Sequence, residues 1–346
     1  MSWFCRLATF ALAALAFSGF ALPDAHAVTI DMVTVGDPGN AADATGYGAV
    51  ADVFKIGKYK VTIQQYADFL NAAAQSDPYG LYVSGMGTNL NIAGISRSGT
   101  SGGYSYSVIG PSGSTPAGAS SPGNRPITYA NWFDAARFAN WMHNGQGSGS
   151  TETGAYTLNG ATSGTAPAVN PGAQFFVPTE DQWYKAAFYK GGGTNAGYWD
   201  YATQSDTVPG NTIGSGANQA NYRINGTTYS VTRSSTFSAS QNYLTEVGAF
   251  TGSPSAYGTF DQAGMTWEWY SLTDAASPDV GRRGGSWAFD ASFLPSSFRL
   301  VNTAGNSGDY DFGFRLAAVP EPSTYAMALA GLTCGGYSMF RRRKRA

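Results

Sequence analysis

Three segments of the chain repeat apolar residues at the spacing of an amphipathic helix. In TIQQYADFLNAAA, four apolar residues from Tyr66 to Ala73 follow at i, i+3, i+4 and i+7, so they share one face. Thr62, with Gln65 three residues later, is the capping-box pattern of a helix start. We therefore predict a helix that begins after Thr62 and buries one face.

Two further segments have the same organisation. NWFDAARFANWMHNG predicts a helix that begins at Asn131 and stops at Gly145. PTEDQWYKAAFYKGGG predicts a third helix, capped by Thr179 and closed by Gly191. After Lys190 the helical period disappears, and short β-rich pieces such as TTYSVTRSSTF and GFRLAAV dominate. We therefore predict three helices followed by short strands.

Long Gly/Ser/Thr stretches over residues 96–124 and 145–172 separate the helices. Their composition alone also suits linkers between domains. However, the tyrosines in GGYSYSVIG and GAYTLNG offer apolar anchors. We therefore predict that both stretches are surface excursions from one domain.

The first 27 residues have the pattern of a signal peptide. Arg6 gives a positive start, residues 7–22 are almost wholly apolar, and Ala25-His26-Ala27 has the small-x-small pattern of a cleavage site. The alternative is an apolar core helix, which the extreme N-terminal position disfavours. We predict that signal peptidase cuts before Val28 and that the protein is exported.

Residues 320–346 combine a Pro-Glu-Pro turn, an apolar run over residues 325–340 and five basic residues. The run is shorter than the roughly 20 residues of a full span, and the basic end favours the cytoplasmic side. This order resembles the PEP-CTERM sorting tail. The resemblance implies an inner-membrane anchor, cleavage by an exosortase, and delivery to the cell surface or an exopolysaccharide matrix. A plain C-terminal membrane anchor is the alternative.

The predicted mature domain, residues 28–319, has a restricted chemical inventory. Cys5 and Cys334 both lie outside it, and His143 is its only histidine. Zinc and iron sites normally recruit several such ligands. Fourteen basic and 20 acidic residues remain, a balance of −6. That charge argues against nucleic acid as a partner.

Six blocks of the chain match one family in order and spacing. They are FKIGKYKVTIQQYADFLN, NRPITYANWFDAARFANWM, FFVPTEDQWYKAAF, VGAFTGSPSAYGTFDQAGMTWEWY, GRRGGSWAF and DFGFRLA. Over residues 54–317 the chain resembles the formylglycine-generating-enzyme (sulfatase-modifying factor) domain. The resemblance implies an irregular, C-type-lectin-like α+β fold with little regular secondary structure. It also implies bound calcium and a cleft lined by the Trp-Glu-Trp and Gly-Gly-Ser blocks.

The chain departs from the catalytic members of that family. Some oxidise a substrate cysteine with copper held by two cysteines, and others use iron held by histidines of an additional domain. The positions that match the copper ligands carry Phe289 and Leu294, which cannot coordinate Cu(I). We therefore expect no copper or iron and predict an exported, non-catalytic recognition module that binds a glycan or an extracellular protein. A divergent formylglycine-generating-type oxidase and a structural matrix protein without a specific ligand are the alternatives.

The Gly-Gly-Ser block and the residues after it supply the candidate ligand site, because aromatic faces with a few polar groups suit sugars and peptides. The candidate ligand-binding residues are Trp269, Ser286, Trp287, Phe289, Asp290, Phe293 and Arg299. Trp287 and Phe289 fit the core as well as a binding face. We assign Trp267 to the core and expect Arg283 and Arg315 to make structural hydrogen bonds.

Calcium is the candidate cofactor that the resemblance implies. The candidate metal residues are Glu268, Gly264, Thr266, Asn221 and Tyr222. Glu268 matches a calcium ligand of the family, and the neighbouring carbonyl oxygens are hard donors of the kind that Ca²⁺ prefers. Met265 stands where the family usually has an asparagine ligand. Asn221 and the Tyr222 carbonyl match a second calcium site in part.

Overall fold

The computed structural model describes residues 27–110, 121–225, 228–272, 280–302 and 305–320. The predicted sorting tail after Pro320 and nearly all of the predicted signal peptide lie outside these residues. Within them, no helix has the length and apolar character needed to cross a membrane.

Regular secondary structure is sparse and occurs in short pieces, as predicted. The strands are β1 (Met32–Val35), β2 (Phe54–Gly57), β3 (Ile95–Ser98), β4 (Ser105–Val108), β5 (Phe175–Phe176), β6 (Arg223–Ile224), β7 (Thr228–Tyr229), β8 (Trp267–Ser271), β9 (Val280–Arg283), β10 (Leu300–Asn302), β11 (Phe312–Gly313) and β12 (Ala317–Ala318). The helices are α1 (Ile63–Ala73), α2 (Gly85–Thr88), α3 (Trp132–His143) and α4 (Glu180–Phe188). Single 3₁₀ turns occur at Pro122–Asn124 and Ala291–Phe293.

The three predicted helices form, and each begins at the predicted cap. The Thr62 hydroxyl accepts a hydrogen bond from the Gln65 backbone amide, and the Gln65 side chain accepts from the Thr62 amide. Asn131 and Thr179 make the same reciprocal arrangement at the starts of α3 and α4. These caps satisfy amides that a helix start otherwise leaves unpaired.

Helix α4 ends two residues earlier than its sequence pattern predicts. Tyr189 adopts an extended conformation and forms an isolated β-bridge with Tyr198. This tertiary pairing overrides the local helical tendency. The single turn α2 was not predicted, because Gly85–Thr88 is too short to show a period.

Two four-stranded sheets organise the fold. The first has the order β1-β2-β12-β5 and brings the start and the end of the domain together. The second has the order β10-β9-β8-β11, in which β8 pairs antiparallel with β9 and parallel with β11. Strand β8, which carries the Trp-Glu-Trp block, is therefore an interior strand.

The main core packs α1 against α3 and the C-terminal strands through aromatic rings. Tyr66, Phe69, Phe138 and Phe314 are all buried, and Phe138 and Phe314 meet edge to face with their centroids 5.5 Å apart. Such edge contacts add to the free energy gained by burying the rings. Trp267 is buried in the same cluster, which confirms its predicted place in the core.

Buried tyrosines anchor both Gly/Ser-rich stretches. Tyr106 lies on β4, and its hydroxyl donates to the Ala74 carbonyl over 2.8 Å. The Tyr156 hydroxyl accepts from the Val177 amide over 2.9 Å. The described parts of both stretches therefore pack onto the domain, as predicted. The hairpin β3–β4 was hidden in the sequence by its serine and glycine content.

We predict that replacing Thr62 by alanine will lower the free energy of unfolding by about 1 kcal/mol, since the Gln65 amide loses its cap. Urea denaturation of the full-length protein measures this difference. Thr62→Ser keeps the hydroxyl and should retain most of the stability. Equal stability of the Thr62→Ala and parent proteins would contradict the role of the cap.

Candidate functional site

Glu268 is the second residue of strand β8, and its side chain is completely buried. Its Oε1 is 2.5 Å from Lys60 Nζ and 2.9 Å from a terminal guanidinium nitrogen of Arg315. Its Oε2 accepts from Arg315 Nε over 2.5 Å and from Trp183 Nε1 over 3.1 Å. Both oxygens therefore have two donors each.

These partners determine the charge of the group. Burial alone would raise the pKa of Glu268, but Arg315 and Lys60 outweigh it and lower the pKa to about 2. Burial lowers the pKa of Lys60 to about 8, against the attraction of Glu268. A buried ion cluster of this kind is very sensitive to the loss of one partner, because an uncompensated buried charge remains.

Two buried arginines make the structural hydrogen bonds expected of them. Arg315 also donates to the backbone carbonyls of Gly57 and Phe260. Arg283 donates to Glu180 Oε1 over 2.8 Å and to the Ser296 carbonyl over 2.7 Å. Glu180, in the first turn of α4, is thus held by an arginine of β9.

The surroundings of Glu268 do not fit a calcium ion. The Thr266 carbonyl accepts from Lys60 Nζ over 2.9 Å, so an ammonium group lies between this carbonyl and the carboxylate. Ca²⁺ takes six to eight oxygen ligands, whereas Glu268 is surrounded by hydrogen-bond donors and two positive charges. Across the described part of the chain, no group of three or more His, Cys, Asp or Glu side chains could hold a metal.

The second pair of candidate calcium residues, Asn221 and Tyr222, also makes hydrogen bonds to other residues of the protein. The Asn221 amide donates to the Tyr243 carbonyl over 3.0 Å and to Met265 Sδ over 3.3 Å. The Tyr222 carbonyl accepts from the side chains of Asn211 and Ser230. These bonds hold the loop in place without a carboxylate ligand.

Gly264 allows two backbone segments to approach closely. Its φ is +77°, and a Cβ added there would lie 2.2 Å from the Asn221 carbonyl oxygen. Its amide donates to the Gly284 carbonyl over 2.6 Å. The residue therefore has a steric role beside the Gly-Gly-Ser turn.

A cavity of about 370 Å³ opens next to Trp287. Its lining residues are Asn89, Asn91, Tyr229, Phe237, Trp287, Ala288 and Tyr310. The Tyr243 ring stacks on Trp287, with centroids 4.7 Å apart and planes 3° from parallel. Phe237 is 51% exposed and forms an accessible part of the wall. The Trp287 Nε1–H is buried and has no acceptor among the described residues.

Trp287 alone of the candidate ligand residues lines this cavity. Trp269 is buried and donates from its indole nitrogen to the Ala130 carbonyl over 2.8 Å. Ser286 is also buried and donates to Asp311 Oδ2 over 2.6 Å. Both side chains therefore make hydrogen bonds in the interior and lie outside the lining of the cavity.

The remaining candidates occupy other places. Phe289 and Phe293 pack around Trp267 with centroids about 6 Å away, in a partly buried aromatic cluster. Asp290 caps the 3₁₀ turn through Ser292, which lowers its pKa. Arg299 contacts the Tyr47 ring and lies 3.5 Å from Glu180. These four residues, which are close in sequence, thus lie in three different environments.

Six wall residues of the cavity were not among the candidates. Ala288 adjoins Trp287 in the chain, and the other five are Asn89, Asn91, Tyr229, Phe237 and Tyr310. They come from three distant parts of the chain and form no motif. The aromatic residues at the ends of the segment TYSVTRSSTF were the one available signal. Lys60 was also missed, because a single lysine beside a short strand usually indicates the surface.

Ser286 and Asp311 do not form a catalytic triad. Burial raises the pKa of Asp311 to about 6, and the nearby charge of Asp309 adds to this. The Ser286 hydroxyl opposes the rise by hydrogen bonding. His143 Nδ1 accepts from the Gln174 amide at the end of α3. The described residues therefore show no Ser–His–acid arrangement.

A family model described as a sulfatase-modifying factor enzyme 1-like domain matches residues 32–319. The solved structures that are similar to the chain include the following three. "Treponema denticola variable protein 1" is 19% identical, with 86% of this chain and 97% of that chain covered and a TM-score of 0.49. CarF is 22% identical, with coverages of 85% and 99% and a TM-score of 0.48. PvdO from Pseudomonas aeruginosa is 16% identical, with coverages of 84% and 92% and a TM-score of 0.39. No curated protein matches the chain.

We predict that Asp311 makes stability fall as pH rises. Its folded-state pKa of about 6 lies above the ordinary value of 3.8, so the folded state holds the proton more tightly. The contribution is fully present below pH 4 and is lost as pH rises through 6. Relative to Asp311→Asn, the free energy of unfolding of the parent should fall by about 3 kcal/mol over this window. Urea denaturation of both proteins at several pH values measures it, and a constant difference would contradict the raised pKa.

Proposed function

Because the chain belongs to the sulfatase-modifying factor enzyme 1-like family, we propose that it uses the scaffold of that family for recognition and that the cavity beside Trp287 binds a neutral glycan. The observation that carries this proposal is the aromatic lining of the cavity. Rings that present a flat apolar face suit the C–H face of a sugar, and a few polar groups then fix its orientation.

The polar walls of the cavity are held in place before any ligand arrives. The Asn91 amide donates to the carbonyls of Ser238 and Gln241, and the Asn89 amide donates to the Tyr129 hydroxyl. Fixed side chains lose little conformational entropy on binding. The unpaired Trp287 N–H adds a donor that a ligand oxygen would satisfy after a small movement of the wall.

The charge of the cavity supports a neutral ligand. Its lining contains no Asp, Glu, Lys, Arg or His side chain. Burying an ionised ligand group there without a partner would be costly. The balance of −6 over residues 28–319 also disfavours a polyanion. An uncharged sugar therefore fits better than a uronic acid or a charged peptide.

The residue types at the two positions that match copper ligands support recognition over oxidation. Phe289 packs on Trp267, and Leu294 is only 1% exposed within an apolar cluster. Neither side chain offers a thiolate, and residues 28–319 contain no cysteine. Redox chemistry of the family's copper type would therefore lack its ligands.

The predicted signal peptide and PEP-CTERM-like tail suggest where such a ligand would be met. Export followed by exosortase processing would place the module at the cell surface or in an exopolysaccharide matrix. The membrane contact through residues 325–340 would precede this step.

Substitution of the exposed wall residue tests the proposal without disturbing the core. A glycan array with the full-length protein should reveal saturable binding to a neutral oligosaccharide, and titration calorimetry gives its Kd. Phe237→Ala should weaken binding about tenfold, or about 1.4 kcal/mol, through the loss of one ring. Val208→Ala, at a 53% exposed apolar residue outside the cavity, should leave Kd unchanged.

Three results would argue against this proposal. Unchanged affinity in Phe237→Ala would place the ligand elsewhere. Binding to acidic glycans or to polypeptides alone would contradict the neutral-glycan specificity. Oxygen consumption with a cysteine peptide and added copper would favour the oxidase.

A further inference from the structure

A protein cation occupies the place that the family resemblance assigns to calcium. Lys60 Nζ is 2.5 Å from Glu268 Oε1 and 2.9 Å from the Thr266 carbonyl oxygen. Both the carboxylate and the carbonyl belong to the candidate calcium residues. We propose that the ammonium group of Lys60 replaces Ca²⁺ at this position, so that neither the fold nor the Trp287 cavity requires calcium.

The charges around Glu268 make the two cations mutually exclusive. The Lys60 and Glu268 side chains are completely buried, and Arg315 bonds to the same carboxylate. A divalent ion at this point would face two positive groups at close range in a medium of low dielectric constant. Calcium could enter only if Lys60 left the interior.

Next to Glu268, the sulfur of Met265 accepts the hydrogen bonds of the neighbouring polar side chains. Met265 Sδ accepts from the Asn221 amide over 3.3 Å and from the Thr245 hydroxyl over 3.2 Å. A thioether is a soft ligand that Ca²⁺ does not prefer. The hydrogen bonds of Asn221 and Thr245 therefore fix this loop through sulfur, without a metal ion.

The loop that Lys60 holds also supports the cavity. Met265 has a φ of +67°; its amide donates to the Asn221 carbonyl over 2.7 Å, and its carbonyl accepts from the Trp287 amide over 3.1 Å. Its side chain is buried in one apolar cluster with Trp287 and Tyr243. A fixed cation at Thr266 and Glu268 therefore keeps the back of the cavity in position.

Calcium dependence of the full-length protein tests the proposal directly. Thermal unfolding in chelator and in millimolar calcium should give the same Tm, and the purified protein should retain no stoichiometric calcium. A bound ion at a hundred times its Kd would add about 2.7 kcal/mol and raise Tm by several degrees. Such a rise, together with one retained equivalent, would overturn the proposal.

Substitution of Lys60 provides a gain-of-response test. Lys60→Glu places a second carboxylate beside Glu268 and the Thr266 carbonyl, so its Tm should fall in chelator and rise when calcium is added. Lys58→Glu, at a half-buried lysine two residues away, is the matched control and should show no response to calcium. A folded Lys60→Glu protein that ignores calcium would contradict the equivalence of the two cations. If Lys60→Glu does not fold, the Tm of the parent protein in chelator and in calcium still tests the proposal.

The effect of calcium on glycan binding can be tested only if the proposed function is correct, whereas the Tm measurements do not depend on it. The Kd for a neutral glycan should be equal in chelator and in calcium. Binding that disappears in chelator would overturn the calcium-independent cavity. Failure to find any glycan would count against the proposed function alone, because the Tm measurements would still judge the role of Lys60.

Discussion

A carboxylate that is removed from water must be neutralised by its neighbours, and Glu268 meets this requirement through Lys60 and Arg315. The partners come from the link between β2 and α1, from the link between β11 and β12, and, through Trp183, from α4. The longest strand of the second sheet has only five residues, so hydrogen-bond ladders alone connect these regions weakly. The buried polar cluster therefore supplies long-range cohesion in a fold with little regular structure.

The same cluster explains how a ligand cavity is held by irregular segments. Gly284 and Gly285 both have positive φ, so β9 turns sharply into the segment that carries Trp287. The Met265 backbone bonds to this segment, and Thr266 next to it is bonded to Lys60. The position of the Trp287 ring thus follows from the buried ions, through a short chain of backbone contacts.

Local patterns predicted the helices well, because caps such as Thr62 with Gln65 act over three residues. They predicted the site poorly. Tyr229 and Tyr310 line one cavity with Trp287, yet some 80 residues separate the two tyrosines in the chain. The residues after Trp287 were expected to share its face, but the 3₁₀ turn at Ala291–Phe293 directs them elsewhere. Long-range packing, which leaves no periodic signal, decides both outcomes.

An experimental structure of crystals soaked in calcium, with an anomalous difference map, tests the central claim most directly. The predicted map shows the Lys60 side chain ending between the Thr266 carbonyl and Glu268, without an anomalous peak at that point. A peak there, with oxygens about 2.3–2.6 Å away and Lys60 displaced, would contradict the account.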